Sequence, residues 1–170
     1  MRRRALLLGG AVSGCGFHPL YAPTSFGTPG PAAAEMAAIY VPPIAERTGQ
    51  LIRQALQQRF EGTGAGTAKR YELLVTYGVA ADGQAIQRDS STTRIRLVGS
   101  AIFNLREMSL AKKPLTLGTA RVLDGYNILN QQYFAASLEN DSAQERIAQS
   151  LADQITLKLG IYFKQAAAPA

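Results

Sequence analysis

The chain has 170 residues, of which 46% are hydrophobic, and a formal net charge of +6 at pH 7. One cysteine excludes a fold held by internal disulfides, and one histidine excludes a histidine-rich zinc site. A Ser-His-Asp triad is also excluded, because the single histidine is residue 18, close to the N-terminus. A chain of this length can bury one sizeable core, which predicts a single packed domain.

Residues 1–14 have the layout of a secretory signal peptide. Three arginines precede an apolar run from Ala5 to Val12, and the small residues Ser13 and Gly14 follow. The run is too short to span a membrane, which takes about 20 apolar residues. Small residues directly before Cys15 resemble the lipobox of bacterial lipoproteins, whose chains are cut before the cysteine. We therefore predict a mature N-terminus at Cys15 that carries covalent N-acyl and S-diacylglycerol groups and no other cofactor.

Processing at that site also changes the charge. Loss of the three N-terminal arginines leaves 15 basic against 12 acidic residues, a net charge of +3. This mild excess suits anionic lipid head groups and is too small to indicate nucleic-acid binding.

The mature chain divides into three parts. Residues 15–36 contain prolines with little hydrophobic periodicity, which predicts an extended tether. Residues 37–163 form the predicted domain, and residues 164–170 a flexible tail.

The first elements of the domain are a strand and a helix. A short β-prone stretch at 37–41 ends at Pro42 and Pro43, because proline cannot donate to a strand ladder. Apolar residues at helical spacing then predict an amphipathic helix over 47–61. The glycine-rich residues 62–66 follow this helix and precede a strand, which favours a helix-ending loop over a phosphate-binding loop.

A long hairpin comes next. Alternation from Arg70 predicts a strand that turns at Asp82-Gly83, with a return strand over 87–107. One face of the return strand is predicted to be core: Ile95, Leu97, Gly99, Ala101, Phe103 and Leu105. The other mixes arginines, hydroxyls and aliphatics, which is typical of a surface used by a partner: Thr92, Arg94, Arg96, Val98, Ser100, Ile102 and Asn104.

A fourth strand over 115–135 is predicted, with a bulge near Asp124-Gly125. The last element is a helix capped around residues 140–142, with an apolar residue at every fourth position from Ile147 to Leu159. The order βαβββα predicts an α/β (α+β) two-layer sandwich: a four-stranded, mostly antiparallel or mixed sheet with two amphipathic helices on one face.

Catalytic chemistry is not predicted. The only histidine, His18, lies beside the lipidation site, and the carboxylates are spread over turns and polar helix faces. Ser109 and Lys112 have the spacing of a serine acyltransferase motif, but they lie in a predicted turn instead of at a buried helix start. We predict a protein that is not an enzyme and that binds no metal.

The chain resembles the LPS-assembly lipoprotein LptE family, most closely its alphaproteobacterial members. The most specific match is CGFHPLY at 15–21, directly after the lipobox. The further matches are ERTGQLIRQAL (46–56), YELLVTY (71–77), AIQRDSSTTRIRL (85–97), YNILNQQY (126–133) and ERIAQSLADQITLKLGIYF (145–163).

The resemblance implies a lipoprotein of the Gram-negative cell envelope, held at the outer membrane on the periplasmic side. It would plug the LptD β-barrel one to one and assist lipopolysaccharide transport. Family members also bind lipopolysaccharide through basic residues, for which the candidates here are Arg94, Arg96, Lys112, Lys113 and Arg121. The alternative is an auxiliary lipoprotein of an ABC-type phospholipid transport system, which would share the tether and size but bind an inner-membrane partner.

Overall fold

The described strands form one mixed sheet against which the helices pack. The computed structural model describes residues 30–61, 66–86, 92–128 and 133–167. Along these ranges the elements are α1 (Pro31–Ala37), β1 (Ile39–Tyr40), α2 (Glu46–Glu61), β2 (Tyr71–Ile86), β3 (Thr92–Glu107), β4 (Pro114–Asn127) and α3 (Tyr133–Ala166). The sheet order is β1-β2-β3-β4, with β1 parallel to β2 and the other pairs antiparallel. The predicted α+β class is confirmed.

The core lies on one face of the sheet, as the alternation along β3 predicted. Leu97, Ala101, Phe103 and Leu105 of β3 are buried there. The stripe of α3 from Ile147 to Leu159 packs into the same cluster, together with apolar residues of α2. Each fully buried Leu, Ile or Phe contributes about 1.5–3 kcal/mol relative to an exposed one. Helices α2 and α3 therefore cover one face and leave the other open.

Residues 31–37 form a helix, α1, where the sequence predicted the end of an extended tether. Pro31 suits the first turn of a helix and the following alanines favour helix, but seven residues are too few for stability alone. The carboxylate of Glu35 accepts hydrogen bonds from Arg70 and from the Tyr71 hydroxyl, each at 2.7 Å. Met36 is buried. These tertiary contacts, which the local sequence does not reveal, override the proline-rich composition.

The predicted flexible tail is also partly helical. Helix α3 continues to Ala166, because Phe163 is buried and its ring lies 5.4 Å from that of Tyr71 on β2. The predicted signal peptide, Cys15 and the tether up to residue 29 lie outside the described residues, as do 62–65 of the glycine-rich loop and the end of the tail.

The predicted turn at Asp82-Gly83 is wrong. Both residues belong to β2, where they pair with Arg96 and Ile95 of β3, and the strand continues to Ile86 through a local register shift. The Arg96 guanidinium donates to the Asp82 carboxylate at 3.0 Å, so a cross-strand ion pair stabilises an extended backbone at a dipeptide that favours turns. The hairpin connection falls in 87–91, outside the described residues.

The predicted bulge near Asp124-Gly125 is wrong as well. Pairing of β4 with β3 is continuous there, and the register shift lies between Leu105 and Arg106. A Cβ on Gly125 would lie 2.7 Å from the Ile95 carbonyl oxygen, so this glycine allows close strand approach and does not mark a bulge. The strand ends at Asn127, earlier than predicted.

Helix α3 begins at Tyr133, so the predicted cap residues 140–142 lie inside it. Asp141 accepts a hydrogen bond from Arg47 of α2 at 3.0 Å. Its carboxylate thus links two helices instead of capping the start of one.

An ion pair ties α3 to the end of β4. Arg146 donates two hydrogen bonds to Asp124, at 2.7 and 3.1 Å, and the Gly125 N–H donates a third at 2.7 Å. The hydrogen bond from Arg146 outweighs partial burial and lowers the pKa of Asp124 below its ordinary value of 3.8. The pair therefore stabilises the contact of helix with strand at neutral pH.

Gly99→Ala is expected to lower the free energy of unfolding by about 1–3 kcal/mol, as overpacking does. A Cβ there would overlap the Ile147 side chain and lie 3.0 Å from that of Val122. Gly78→Ala is the matched control, since its Cβ would meet nothing closer than the Ser100 hydroxyl at 3.9 Å. Urea unfolding followed by circular dichroism measures both, and equal losses would contradict the close approach of α3 to β3.

Asp124→Asn is expected to reduce stability by up to about 1 kcal/mol at pH 7, a small value because the pair is partly exposed to solvent. A carboxylate with a depressed pKa stabilises the folded state above its unfolded pKa, and this contribution is lost as the pH falls through the folded pKa. The difference between wild type and variant should therefore shrink as the pH falls below the ordinary pKa of 3.8 and vanish below the lower pKa of the folded state. Urea midpoints measured down to that range test this, and a gap that stays constant with pH would refute it.

Candidate functional site

The face of the sheet opposite the helices is uncovered within the described chain, and we call it the open face. It consists of alternate residues of β2, β3 and β4. The predicted mixed face of β3 lies on it, with Arg94, Arg96, Ser100 and Ile102 exposed. This placement was correctly predicted from the alternation.

The open face carries large exposed aliphatic side chains between two ion pairs. Ile102, Leu117 and Leu123 are 54%, 70% and 66% exposed. The ion pairs are Asp82–Arg96 toward one end of the strands and Glu72–Arg106 toward the other, at 3.0 and 2.7 Å. Both join β2 to β3, so they stabilise the sheet and leave the aliphatic groups available between them.

Asn104 brings an unsatisfied polar atom to this face. Its Oδ1 is buried and has no hydrogen-bond partner among the described residues. The register places it between Leu74 of β2 and Leu117 of β4. Leaving a buried acceptor unpaired costs about 1–3 kcal/mol.

Two of the predicted basic residues are available for a ligand on the open face. Arg94 and Arg121 are exposed and make no ion pair within the described ranges. Arg121, opposite Ser100, lines a shallow depression of about 460 Å³ with Gly78 and Val98. A guanidinium can donate two parallel hydrogen bonds to a phosphate. Charge and apolar surface thus adjoin at this depression.

The other three predicted residues are placed differently. Arg96 lies on the open face but is paired with Asp82. Lys112 and Lys113 lie in the connection between β3 and β4, beyond the end of β3 that is farthest from Arg94. The stretch from Arg94 to Glu107 corresponds to roughly 40 Å of strand. The five basic residues therefore do not form one site.

Sequence reasoning missed the contribution of β4. Leu117, Thr119, Arg121 and Leu123 alternate onto the open face, but the predicted bulge and overlong strand obscured that period. Pairing the alternation of β4 with that of β3 would have revealed it. The unpaired amide of Asn104 has no signal in the sequence, because it depends on which neighbours the register brings to it.

Most of the described carboxylates bind arginine side chains. Six of them form ion pairs with arginine: Glu35, Glu72, Asp82, Asp124, Asp141 and Asp153. No group of three or more metal-binding side chains occurs within the described ranges. Ser109 and Lys112 lie in an exposed turn. The paired carboxylates therefore hold elements of the fold together.

The comparisons with known proteins agree with this architecture. A lipoprotein from Caulobacter crescentus CB15 has a similar crystal structure, with a TM-score of 0.61 and 22% sequence identity over 82% of this chain and 98% of that one. The rare lipoprotein B from Shewanella oneidensis gives a TM-score of 0.58 and 13% identity over 76% of this chain and 97% of its own. At these identities the likeness concerns the fold. No curated protein sequence matches the chain.

Two further findings bear on the kind of protein this is. Among the described helices, none is long and apolar enough to cross a membrane. The profile of the LptE lipopolysaccharide-assembly family matches residues 36–159, from the end of α1 through most of α3. This chain belongs to the LptE family of lipopolysaccharide-assembly proteins.

Proposed function

We propose that this protein is an outer-membrane lipoprotein, anchored on the periplasmic side through acylated Cys15, that partners the LptD β-barrel one to one in lipopolysaccharide assembly. The observation that carries the proposal is the family match over residues 36–159, which includes every strand of the described sheet. The protein acts by binding and not by catalysis.

The open face supports the proposal of a large partner. Isolated exposed aliphatics are common on soluble proteins, but here several share one sheet face and flank an unpaired amide oxygen. Such a face is suited to the wall of a barrel lumen, which can offer both apolar groups and hydrogen-bond donors. The ion pairs that bound it are internal to the sheet and need no partner.

Lipopolysaccharide contact is assigned to Arg94 and Arg121 among the five predicted residues. Both present guanidinium groups on the open face beside aliphatic side chains, which suits an amphiphile with phosphate groups. Arg96 is secondary in this role because Asp82 already binds it. Lys112 and Lys113 are too distant to contribute to the same contact.

A detergent pull-down of the acylated protein from its native envelope is expected to recover LptD at one to one. The Cys15→Ala variant should keep the fold, since position 15 precedes the described domain, and should leave the membrane fraction. Mass spectrometry identifies the partner in each case. Recovery of an inner-membrane ABC transporter without the barrel would refute the proposal and favour the phospholipid-transport alternative.

Single reversals Arg94→Glu and Arg121→Glu are each expected to weaken lipopolysaccharide binding about tenfold or more, since each removes a hydrogen bond between charged groups. Lys164→Glu is the matched control: it makes the same charge change on α3, at an exposed side chain that forms no ion pair among the described residues. Equilibrium binding of the purified variants to lipopolysaccharide measures the effect. Equal losses in all three would mean that net charge alone is responsible.

A further inference from the structure

The connection between β3 and β4 exposes apolar and basic side chains together. We call residues 108–113 the basic turn. Leu110 at its tip is completely exposed and Met108 is 52% exposed, while the exposed Lys112 and Lys113 follow after Ala111. Burial of Leu110 would gain about 1.5–3 kcal/mol, and nothing in the described chain covers it. The turn therefore combines a free apolar group with two cations.

The backbone of the basic turn is held in place. The Met108 N–H donates to the Arg70 carbonyl at 2.8 Å, Glu107 N–H to the Lys113 carbonyl at 3.0 Å, and Lys112 N–H to the Ser109 carbonyl at 3.1 Å. Lys112 has a φ of 45°, a left-handed conformation that glycine adopts at lower cost. The basic turn therefore has a defined backbone conformation.

The surrounding end of the sheet is also basic. The described cations at this end are Lys69, Arg70, Arg106, Lys112, Lys113 and Lys164, and the described carboxylates there are Glu35, Glu61, Glu72 and Glu107. Arg70 is paired with Glu35, and the Lys69 ammonium donates to the Ala37 carbonyl at 3.0 Å. The two lysines of the turn make no ion pair among the described residues. Positive charge is therefore in excess where Leu110 projects.

The chain also enters the domain near this end. Gly30, where the described residues begin, is five residues from Glu35, which corresponds to about 8 Å of helix rise. Glu35 contacts Arg70, whose carbonyl binds the basic turn. The linker from Cys15 to Gly30 spans at most about 50 Å. A lipid anchor on Cys15 thus holds a bilayer within reach of the turn.

We propose that the basic turn rests on an anionic lipid bilayer, with Leu110 in the boundary of head groups and acyl chains and Lys112 and Lys113 bound to lipid phosphates. The proposal rests on the proposed function only for the anchor at Cys15. Exposed apolar groups flanked by lysines bind such interfaces, and each lysine near an anionic surface strengthens contact about fivefold. The lipopolysaccharide contact on the open face is a separate site.

The absence of tryptophan from the sequence allows a direct test. Leu110→Trp places a single fluorophore at the tip of the turn, and Leu123→Trp places the matched control on the open face, at a leucine that is 66% exposed. The acylated proteins are reconstituted with phosphatidylcholine vesicles that contain about 30 mol % phosphatidylglycerol. We expect the emission of the Leu110→Trp protein to shift to the blue and to be quenched by brominated lipid, with no change for Leu123→Trp.

Charge reversal then tests the lysines. Lys112→Glu with Lys113→Glu, in the Leu110→Trp background, should lower the ratio of lipid-contacting to free turns about twentyfold or more, because two contributions of about fivefold are lost. Far-UV circular dichroism checks that the variant keeps its secondary structure. Omission of phosphatidylglycerol should lower the quenching of Leu110→Trp in the same direction.

These experiments distinguish a failure of the turn contact from a failure of the lipid anchor at Cys15. If the acylated Leu110→Trp protein sediments with vesicles while its tryptophan stays unquenched, the turn contact is overturned and the anchor is intact. A blue shift that needs added LptD would show that the turn docks on protein, which also overturns the proposal. Failure of the acylated protein to sediment with vesicles would contradict both.

Discussion

The contact of α3 with β3 is the constraint on which the rest of the fold depends. Gly99 lets the helix approach the strand so closely that Ile147 and Leu151 pack directly onto the backbone. This contact sets the level of the helix above the sheet, so the residues on either side of it along α3 meet β4 and α2 in fixed positions. Arg146 reaches Asp124 and Arg59 of α2 reaches Asp153 because the helix lies where Gly99 allows.

The same helix closes one edge of the sheet. The Gln154 amide accepts from the Arg121 N–H at 3.2 Å and donates to its carbonyl at 3.0 Å, and Lys158 donates to the Thr119 carbonyl. These side chains occupy backbone groups that an edge strand would otherwise offer to another chain. The opposite edge is different, because β1 pairs only with Tyr71 and Glu72 of β2 and no described strand covers the rest of β2. The described sheet thus presents one open face and one largely unpaired edge.

Much of the fold was predictable because apolar residues recur at regular helix and strand spacings along the sequence. The stripe from Ile147 to Leu159 and the alternation of β3 each identify a core face without knowledge of the partner element. The errors lie where a tertiary contact overrides a local preference. Asp82-Gly83 favours a turn until Arg96 pairs with the aspartate, and residues 31–37 are helical because α1 docks on α3 and Glu35 binds Tyr71 of β2.

The sequence predicted which face of the sheet carries the candidate site, but not which side chains on that face are free to bind a ligand. Charge and alternation identified Arg94 and Arg96 as residues of one surface, whereas the pairing of Arg96 with Asp82 and the unpaired oxygen of Asn104 depend on register. Lys112 and Lys113 entered the prediction by charge alone. The strand length of roughly 40 Å that separates them from Arg94 exceeds the reach of any side chain.

The distance between the two lysines and Arg94 places the basic turn and Arg94 at opposite ends of the strands. The proposed bilayer contact of the basic turn would hold one end of the long strands at the membrane, while the open face extends along the strands away from that end. The salt dependence of the two contacts then differs, because exposed lysines at a lipid surface are screened over about 10 Å at 0.1 M salt, whereas a guanidinium desolvated against aliphatic groups is screened less. Orientation by the turn and binding by the open face can therefore act as separate functions of one rigid sheet.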